Sequence, residues 1–541
     1  MDDRIGRIGR ARGFVLLAVS ASFAILVAWP LVRLAIEAVD GGLAPFLAAL
    51  APEGLEAIGN SLWTAAAVTL LALLGGLLLA FLTEHRVVPG RPLLLLAILL
   101  PLLVPDFVSA LGWTRAFGPA GLLDRLAGLE LPGLYGPIGI VLVLGSGAIP
   151  LAYLLIVAGM RARAEPDLER AARMSGADGL TALRTVSLPL LWPVIAAAGG
   201  LVFATTMNTF GTPAILGRPA GFATMTTRIY GDLTFSSSEA AFQRVLGLAL
   251  LLVAVVVVIV ALTDRLGPRN AVRGAISGPR GQTRAVGRLP LALAWGFVAV
   301  TVLVPLAALL LTALTRAVGL PPLPEHLTLA NFGRAIDSRT LPALVNSLML
   351  AGAAAFVCVV LGAAAAIAPG RRWRRRWSGF VALGFAIPGS VLAIGVLLAF
   401  GRPLRDTLLI ILVAYVAKLW ALAERPIAGA LDRIPAIASY AARVHGADGP
   451  AALRTVLLPI LAPTLAAAGL LVFIFALHEV TISILLYGPR SATLAVAIIN
   501  LQQLGDPTVT TALAVLLTLL VVLCAIPLIA LRRSWSTGLI G

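Results

Sequence analysis

Long apolar runs alternate with short polar ones along nearly the whole chain. Runs of about 20 apolar residues are long enough to cross a bilayer core as helices. Twelve are predicted, near residues 14–36, 59–83, 93–113, 137–160, 189–210 and 244–263, then 290–314, 346–368, 377–400, 407–424, 458–486 and 508–531. The eleventh is over-long and is expected to break near His478. The pattern therefore predicts an all-α polytopic membrane protein. Composition agrees: 60% of the 541 residues are hydrophobic and 12% charged, about half the charged share of a soluble domain, with a mean hydropathy of +0.99.

Arginine placement orients the spans. Lys418 is the sole lysine among 41 basic residues, leaving 40 arginines. With the N-terminus inside, 28 of them fall in the inner segments and 12 in the outer ones. The inner set includes the six from Arg265 to Arg288, the cluster Arg371, Arg372, Arg374, Arg375 and Arg376, and the pair Arg532 and Arg533. This positive-inside asymmetry predicts cytoplasmic termini and explains the net charge of +16 as topology, with no call for a nucleic-acid partner. The run after Arg4, Arg7, Arg10 and Arg12 reaches about residue 36, too long for a signal-peptide core of roughly 7–15 residues, and reads as an uncleaved first span. Cys358 and Cys524 lie in apolar segments, which offers neither a disulfide framework nor a cysteine metal site.

One polar segment occurs twice. Ala171 to Pro193 and Ala441 to Pro463, 270 positions apart, are identical at 16 of 23 positions. Leu, Val and Ala recur cheaply in membrane helices, but matched Ala-Ala-Arg, Gly-Ala-Asp-Gly and Leu-Arg-Thr-Val blocks with two prolines mark a duplication. Asn60-Ser61-Leu62 and Asn346-Ser347-Leu348 extend the likeness. The domains are thus a first half over 1–265, a Gly-, Pro- and Arg-rich cytoplasmic linker over 266–289 and a second half over 290–541, giving two parallel repeats of six spans.

Each polar copy follows the fourth span of its half. Leu168, Ala171, Ala172 and Ser175 share a helical face, as do Ala438, Ala441, Ala442 and His445. Gly176 and Gly446 suit the left-handed residue that ends a helix. Asp178-Gly179 marks a turn, Leu183 to Val186 begins a second short helix, and Pro189 suits the first turn of the next span. Small side chains at Ala171, Ala172, Gly176 and Ala177 leave a shallow helical knob suited to docking in a groove.

Ala171-Ala172, Gly176 and Val186-Ser187-Leu188-Pro189, with Ala441-Ala442, Gly446 and Val456-Leu457-Leu458-Pro459, resemble the EAA signature of the permeases of binding-protein-dependent ABC importers. The resemblance implies that residues of about 165–187 and 435–457 form cytoplasmic coupling helices that dock on ATPase subunits. Glu169, Ala171, Ala172, Gly176, Asp178 and Arg184 would serve in the first, and Ala441, Ala442, Gly446, Asp448 and Arg454 in the second. The resemblance departs at the leading Glu, where Arg170 and Tyr440 stand. Thr209 to Gly217 (TFGTPAILG) and Thr226 to Tyr230 are most similar to iron(III)-type permeases, with thiamine, phosphonate and polyamine systems as further substrate classes. Implied partners are two copies of a cytoplasmic ABC ATPase, a periplasmic or lipid-anchored binding protein and the bilayer of a bacterial inner membrane.

A P-loop needs a lysine after a glycine-rich turn. Lys418 follows Tyr415-Val416-Ala417 inside a span, so ATP and Mg²⁺ would be bound by another polypeptide, and no cofactor, metal site or enzymatic activity is expected in this one. Asn208 and His478 occupy equivalent positions, with Glu479 next. Polar groups at membrane depth usually face a cavity or a partner, which makes these three pathway candidates; the alternative is a wet interface past an earlier end of span eleven. Lys418 with Glu424 reads as a snorkelling or structural pair near the cytoplasmic end of span ten. The rival class is a twelve-span secondary transporter, which predicts charges in the membrane core for ion coupling and nothing special between spans four and five.

Overall fold

A computed structural model describes residues 2–537 apart from 163–167, 169–170, 173, 267–284, 338–339, 369–377, 380, 382–383, 436, 438–441, 443 and 445. The first half is built from α1 (Gly13–Asp40), α2 (Pro52–His85), α3 (Arg91–Leu103), α4 (Asp106–Phe117), α5 (Pro137–Ala162), α6 (Leu183–Asn208), α7 (Met225–Phe235) and α8 (Glu239–Leu266). The second half repeats the series as α9 (Arg288–Leu314), α10 (Thr340–Ile367), α11 (Gly389–Leu404), α12 (Leu408–Arg433), α13 (Leu453–Leu477), α14 (Leu494–Leu504) and α15 (Pro507–Thr537).

The protein is an all-α polytopic membrane protein. Among the described residues nine helices are long and apolar enough to span, or ten if α3 and α4 count as one. Twelve were expected, and the shortfall has three causes. Span three is broken: α3 and α4 meet at 108°. At about 1.5 Å per residue, the 13 residues of α3 reach about 20 Å, short of a roughly 30 Å hydrocarbon core. Span nine is represented by α11, a shorter helix that follows Pro388. Span ten is the full-length α12, but Lys418, Glu424 and Arg425 make it too polar to read as an ordinary lipid-facing span. The eleventh ends at Leu477, next to His478, as expected.

Among the described residues five prolines sit just past a widened π turn, four of them inside long helices: Pro30 after Ala24–Ala28, Pro189 after Leu183–Ser187, Pro305 after Ala299–Leu303 and Pro459 after Leu453–Leu457, with Pro219 after Pro213–Gly217 the fifth. A proline inside a helix lacks one N–H and crowds the carbonyl four residues back; a local π turn relieves both without ending the helix. The separate short helix expected over Leu183 to Val186 is therefore the first turns of α6, which runs unbroken through Pro189.

The two halves exchange their first helices. α1 packs on α10, α11 and α12, with the Phe23 and Trp420 rings 6.1 Å apart, while α9 packs on α4. A glycine permits each crossing. A Cβ on Gly395 would lie 2.7 Å from the Pro30 carbonyl oxygen, and one on Gly112 3.1 Å from that of Pro305. The paired second spans also match: Gly76 faces Ala152 and Tyr153, and Gly362 faces Ala423 and Glu424, each with backbone at 2.9 Å from the missing Cβ.

The Asn-Ser repeat has a structural task in both halves. Asn60 Nδ2 donates to the Ala223 carbonyl (2.9 Å) and Ser61 Oγ accepts from Met225 N (2.8 Å), at the start of α7. Asn346 Nδ2 donates to the carbonyls of Arg490 (3.1 Å) and Ala492 (3.0 Å), and Ser347 Oγ accepts from Leu494 N (2.8 Å), at the start of α14. Free N–H groups of a helix start are thus satisfied by side chains of the second span.

Gly362→Leu drives a side chain into the backbone of α12 and is expected to cost about 1–3 kcal/mol, the usual price of overpacking. Thermal unfolding of the detergent-purified protein checks this, and an unchanged midpoint contradicts the close α10–α12 contact.

Candidate functional site

Two sites emerge, one at the duplicated polar segment and one where the helices break. In the first copy the described positions 168, 171, 172 and 174 are helical, as are 437, 442 and 444 in the second. Gly176 (φ +89°) and Gly446 (φ +82°) are left-handed, as the sequence predicts. Ala177 N donates to the Ala172 carbonyl and Ala447 N to that of Ala442, both at 3.0 Å, the six-to-one bond of a Schellman ending.

Asp178 does more than mark a turn. Its Oδ1 accepts from Thr181 N at 2.8 Å, and Asp448 Oδ1 accepts from Ala451 N at 2.8 Å. Each aspartate caps the helix that leads into the next span. Hydrogen bonds from the Thr181 side chain and backbone hold the Asp178 carboxyl below the usual carboxylate range. Ala171, Gly176, Asp178 and Arg184 are exposed, as are Gly446, Asp448 and Arg454, while Ala172 and Ala442 are half-buried. Glu169 and Ala441, with Arg170, Tyr440 and His445, lie outside the described residues. The structure adds Met174 (89% exposed) and Val444 (85% exposed), large apolar side chains at matching positions of the two copies. Their 270-residue spacing was the available signal; their non-identity concealed it. Each copy thus presents a glycine-ended helix with an exposed apolar tip.

The second site lies where α3 gives way to α4 and where α6 and α13 end. Asp106 opens α4 with its carboxylate 3.3 and 3.4 Å from where a Gly211 Cβ would stand, and Thr212 Oγ1 donates to the Asp106 carbonyl at 3.1 Å. In the second half Glu479 Oε1 accepts from Ile482 N at 3.1 Å. Thr212 and Ile482 are 270 apart: the first ties its segment to Asp106 through its hydroxyl, the second to Glu479 through its backbone N–H. Lys418 Nζ stands 3.6 Å from Glu479 Oε2. The expected pairing of Lys418 with Glu424 is corrected: Glu424 Oε2 accepts from Ser378 Oγ at 3.0 Å, and sequence proximity along α12 misassigned the partner. Tyr415 Oη donates to the Glu479 carbonyl at 3.0 Å.

Asn208 is the last residue of α6 and His478 directly follows α13. Asn208 Oδ1 and His478 Nδ1 are shielded from solvent without a hydrogen-bond partner among the described residues. Phe210 and Tyr230, rings 5.1 Å apart, form part of a cavity of about 360 Å³ with Arg218, Phe222, Asp232 and Phe235. Asp232 is held by Arg244 (2.7 Å) and Arg228 (3.3 Å), and Arg218 stacks over the Phe235 ring at 4.9 Å. Among the described residues no three His, Cys, Asp or Glu side chains gather as a metal site would need.

A family model described as "Binding-protein-dependent transport system inner membrane component" matches residues 72–272 and again 358–535. A probable ABC transporter permease protein y4fN of Sinorhizobium fredii is 30% identical over 505 residues, covering 88% of this chain and 87% of that protein. The ferric transport system permease protein FbpB of Actinobacillus pleuropneumoniae is 24% identical over 505 residues, covering 90% and 71%. The thiamine transport system permease protein ThiP of Brucella abortus is 29% identical over 304 residues, covering 54% and 55%.

Removing the aspartate cap in Asp448→Ala is expected to cost about 1 kcal/mol locally. Amide hydrogen exchange over residues 446–457 should quicken by about fivefold, while exchange in α12 stays as it was. Unchanged exchange at 449–452 contradicts the cap.

Proposed function

The chain belongs to the family of inner-membrane components of binding-protein-dependent transport systems, and from that premise we propose how its two halves divide the work. It is an ABC importer permease, a membrane channel subunit without enzymatic activity of its own, that works with an ATPase and a substrate-binding protein. The rival secondary-transporter reading gives way to that membership. The finer reading follows. Residues 1–265 and 290–541 act as two permease halves joined by a linker, with both termini and both polar copies on the cytoplasmic face, as the arginine asymmetry suggests. Each copy docks one of two ATPase subunits, which bind the ATP and Mg²⁺.

The observation that carries this is the duplicated ending Gly176–Asp178 and Gly446–Asp448: left-handed glycine, six-to-one bond and aspartate cap recur 270 residues apart. The cap ties each docking helix rigidly to α6 or α13, so a push on the helix becomes a movement of the span. Ala171, Ala172 and Arg184, and Ala442 and Arg454, are the contact residues of this reading, with Glu169 and Ala441 carried over from the signature. ATP-driven closure of the motor biases a two-state element, and Asn208, His478 and Glu479 line the route at the ends of α6 and α13. The cargo of this reading is iron(III) or another small solute handed over by a binding protein. The likeness to ferric and thiamine permeases supports that range, which extends to phosphonate and polyamine.

Replacing both glycines, Gly176→Trp with Gly446→Trp, puts bulky residues into left-handed positions at about 1–2 kcal/mol each and changes the docking surface. Co-purification of the ATPase subunit should fall by at least about tenfold, the loss that 1.4 kcal/mol of binding energy gives, with normal levels of the permease in the membrane. Full ATPase association and uptake in this variant would sink the docking assignment.

A further inference from the structure

One half of the protein builds a charge cluster that the other half does without. The second spans set the register between them. Asn60 and Asn346 donate to the carbonyls of Ala223 and Ala492, and Ser61 and Ser347 accept from the N–H groups of Met225 and Leu494. In that register Arg218, Arg228 and Asp232 correspond to Tyr487, Ala497 and Leu501. Ser238 and Asp506, which accept from Ala241 N and Val509 N at the starts of α8 and α15, match Arg244 to Ala512. Yet α14 packs on α15 as α7 packs on α8, so the second half makes the same helix pair without these charges.

The cluster lies at one end of the bundle. Arg244 Nη1 stands 3.3 Å from Glu53, in the first turn of α2. Glu84, at the far end of that 34-residue helix, about 50 Å away, binds Arg161 at 2.9 Å, just ahead of the first polar copy. The cavity beside Asp232 therefore lies on the side opposite the polar copies. Only 12 of the 40 arginines are assigned to that side, and Arg218, Arg228 and Arg244 are three of them, against the positive-inside bias.

The charges are also unequally matched. Arg244 takes both carboxylate oxygens of Asp232, at 2.7 Å from Nε and 3.0 Å from Nη2. Arg228 is left with a 3.3 Å approach to the same carboxylate, and its Nε is buried without a hydrogen-bond partner. Arg218 meets no carboxylate among the described residues and lies over the Phe235 ring at 4.9 Å. A guanidinium carries five N–H donors in a planar fork that fits a carboxylate or a phosphate. Two such forks with open donors line one cavity of about 360 Å³, within the range of small-molecule sites, roughly 300–1,000 Å³. Phe210, Phe222 and Tyr230 supply aromatic walls, which favour a flat apolar body. Phe210 stands two residues past Asn208, where α6 ends.

We infer that this cavity binds a small solute carrying an oxyanion, a carboxylate or a phosphate group, on a flat apolar body, with Arg218 and Arg228 as the donors. The inference rests on the permease reading and narrows its cargo to an organic anion. A lipid phosphate headgroup offers the same chemistry at a membrane surface, and the test separates the two sources.

Titration calorimetry of the detergent-purified full chain uses phenyl phosphate as the probe and phenyltrimethylammonium as its cationic match. Phenyl phosphate should bind at one site per chain. Arg218→Gln and Arg228→Gln should each weaken it by at least about tenfold, the loss that 1.4 kcal/mol of binding energy gives. Arg490→Gln, at an exposed arginine beside the equivalent turn of the second half, should leave it unchanged. Absence of saturable binding, equal binding of phenyltrimethylammonium or full affinity in Arg218→Gln overturns the inference. Should Arg228→Gln not elute as a monodisperse peak, Arg218→Gln, at the exposed rim, decides alone. Short-chain phosphatidylglycerol is then added as a competitor. Unchanged affinity for phenyl phosphate supports a solute, whereas displacement that Arg218→Gln abolishes puts a lipid phosphate in the cavity and overturns the cargo assignment. No ATPase is present, so failure here leaves the docking experiment standing, and failed docking leaves this binding intact.

Discussion

Every backbone N–H and C=O inside a bilayer must find a partner within the protein, because hydrocarbon supplies none. Unbroken helices meet that demand automatically. This protein breaks helices at Val104–Pro105, after Asn208, at Ile387–Pro388 and after Leu477, so each break exposes donors that side chains must satisfy. Glu479 takes the N–H group of Ile482, and Thr212 Oγ1 donates to the Asp106 carbonyl. The Glu479 carboxylate is there first because the backbone needs it. Having placed negative charge in the membrane for that reason, the protein needs Lys418 beside Glu479. The polar centre thus follows from where the helices break.

Duplication supplied two copies of each device, and the structure shows which parts were kept. Backbone geometry was retained: the π turns ahead of Pro30 and Pro305, the glycines that admit those prolines to the opposite half, and the Asn-Ser pairs that hold α7 and α14. Charge was allowed to differ. Position 106 is an aspartate and its counterpart Gly389, while Lys418 has Ala148 at the equivalent place. Exchange of the first helices couples the halves, since each half completes its packing with a helix from the other.

The ending of each polar copy was legible in the sequence because it is local. A left-handed glycine, a capping aspartate and a helical run depend on residues a few positions apart, so Gly176 and Gly446 could be assigned their conformation from spacing alone. The reading went astray where local and distant partners competed. Glu424 lies six residues from Lys418 and looked like its counter-ion, but the ammonium meets Glu479, 61 residues away on another helix. Asp106 stands inside an apolar run, and nothing nearby in the chain reveals that its carbonyl meets the Thr212 hydroxyl, 106 residues away. Met174 and Val444 share exposure and apolarity but not the residue, so the identities that mark the repeat do not reveal them.

The sequence by itself determined the class of the protein, its duplication, the place of the polar copies and their local conformation. Apolar length, arginine bias and turn chemistry are properties of contiguous residues and need no partner to be read. Only the tertiary structure decided which spans break, which half each first helix joins and which charges neutralise one another. Those outcomes depend on what stands opposite a helix once it is packed. Backbone donors left open at the starts of α7 and α14 are satisfied by Ser61 and Ser347 of distant helices, and chain order does not record that.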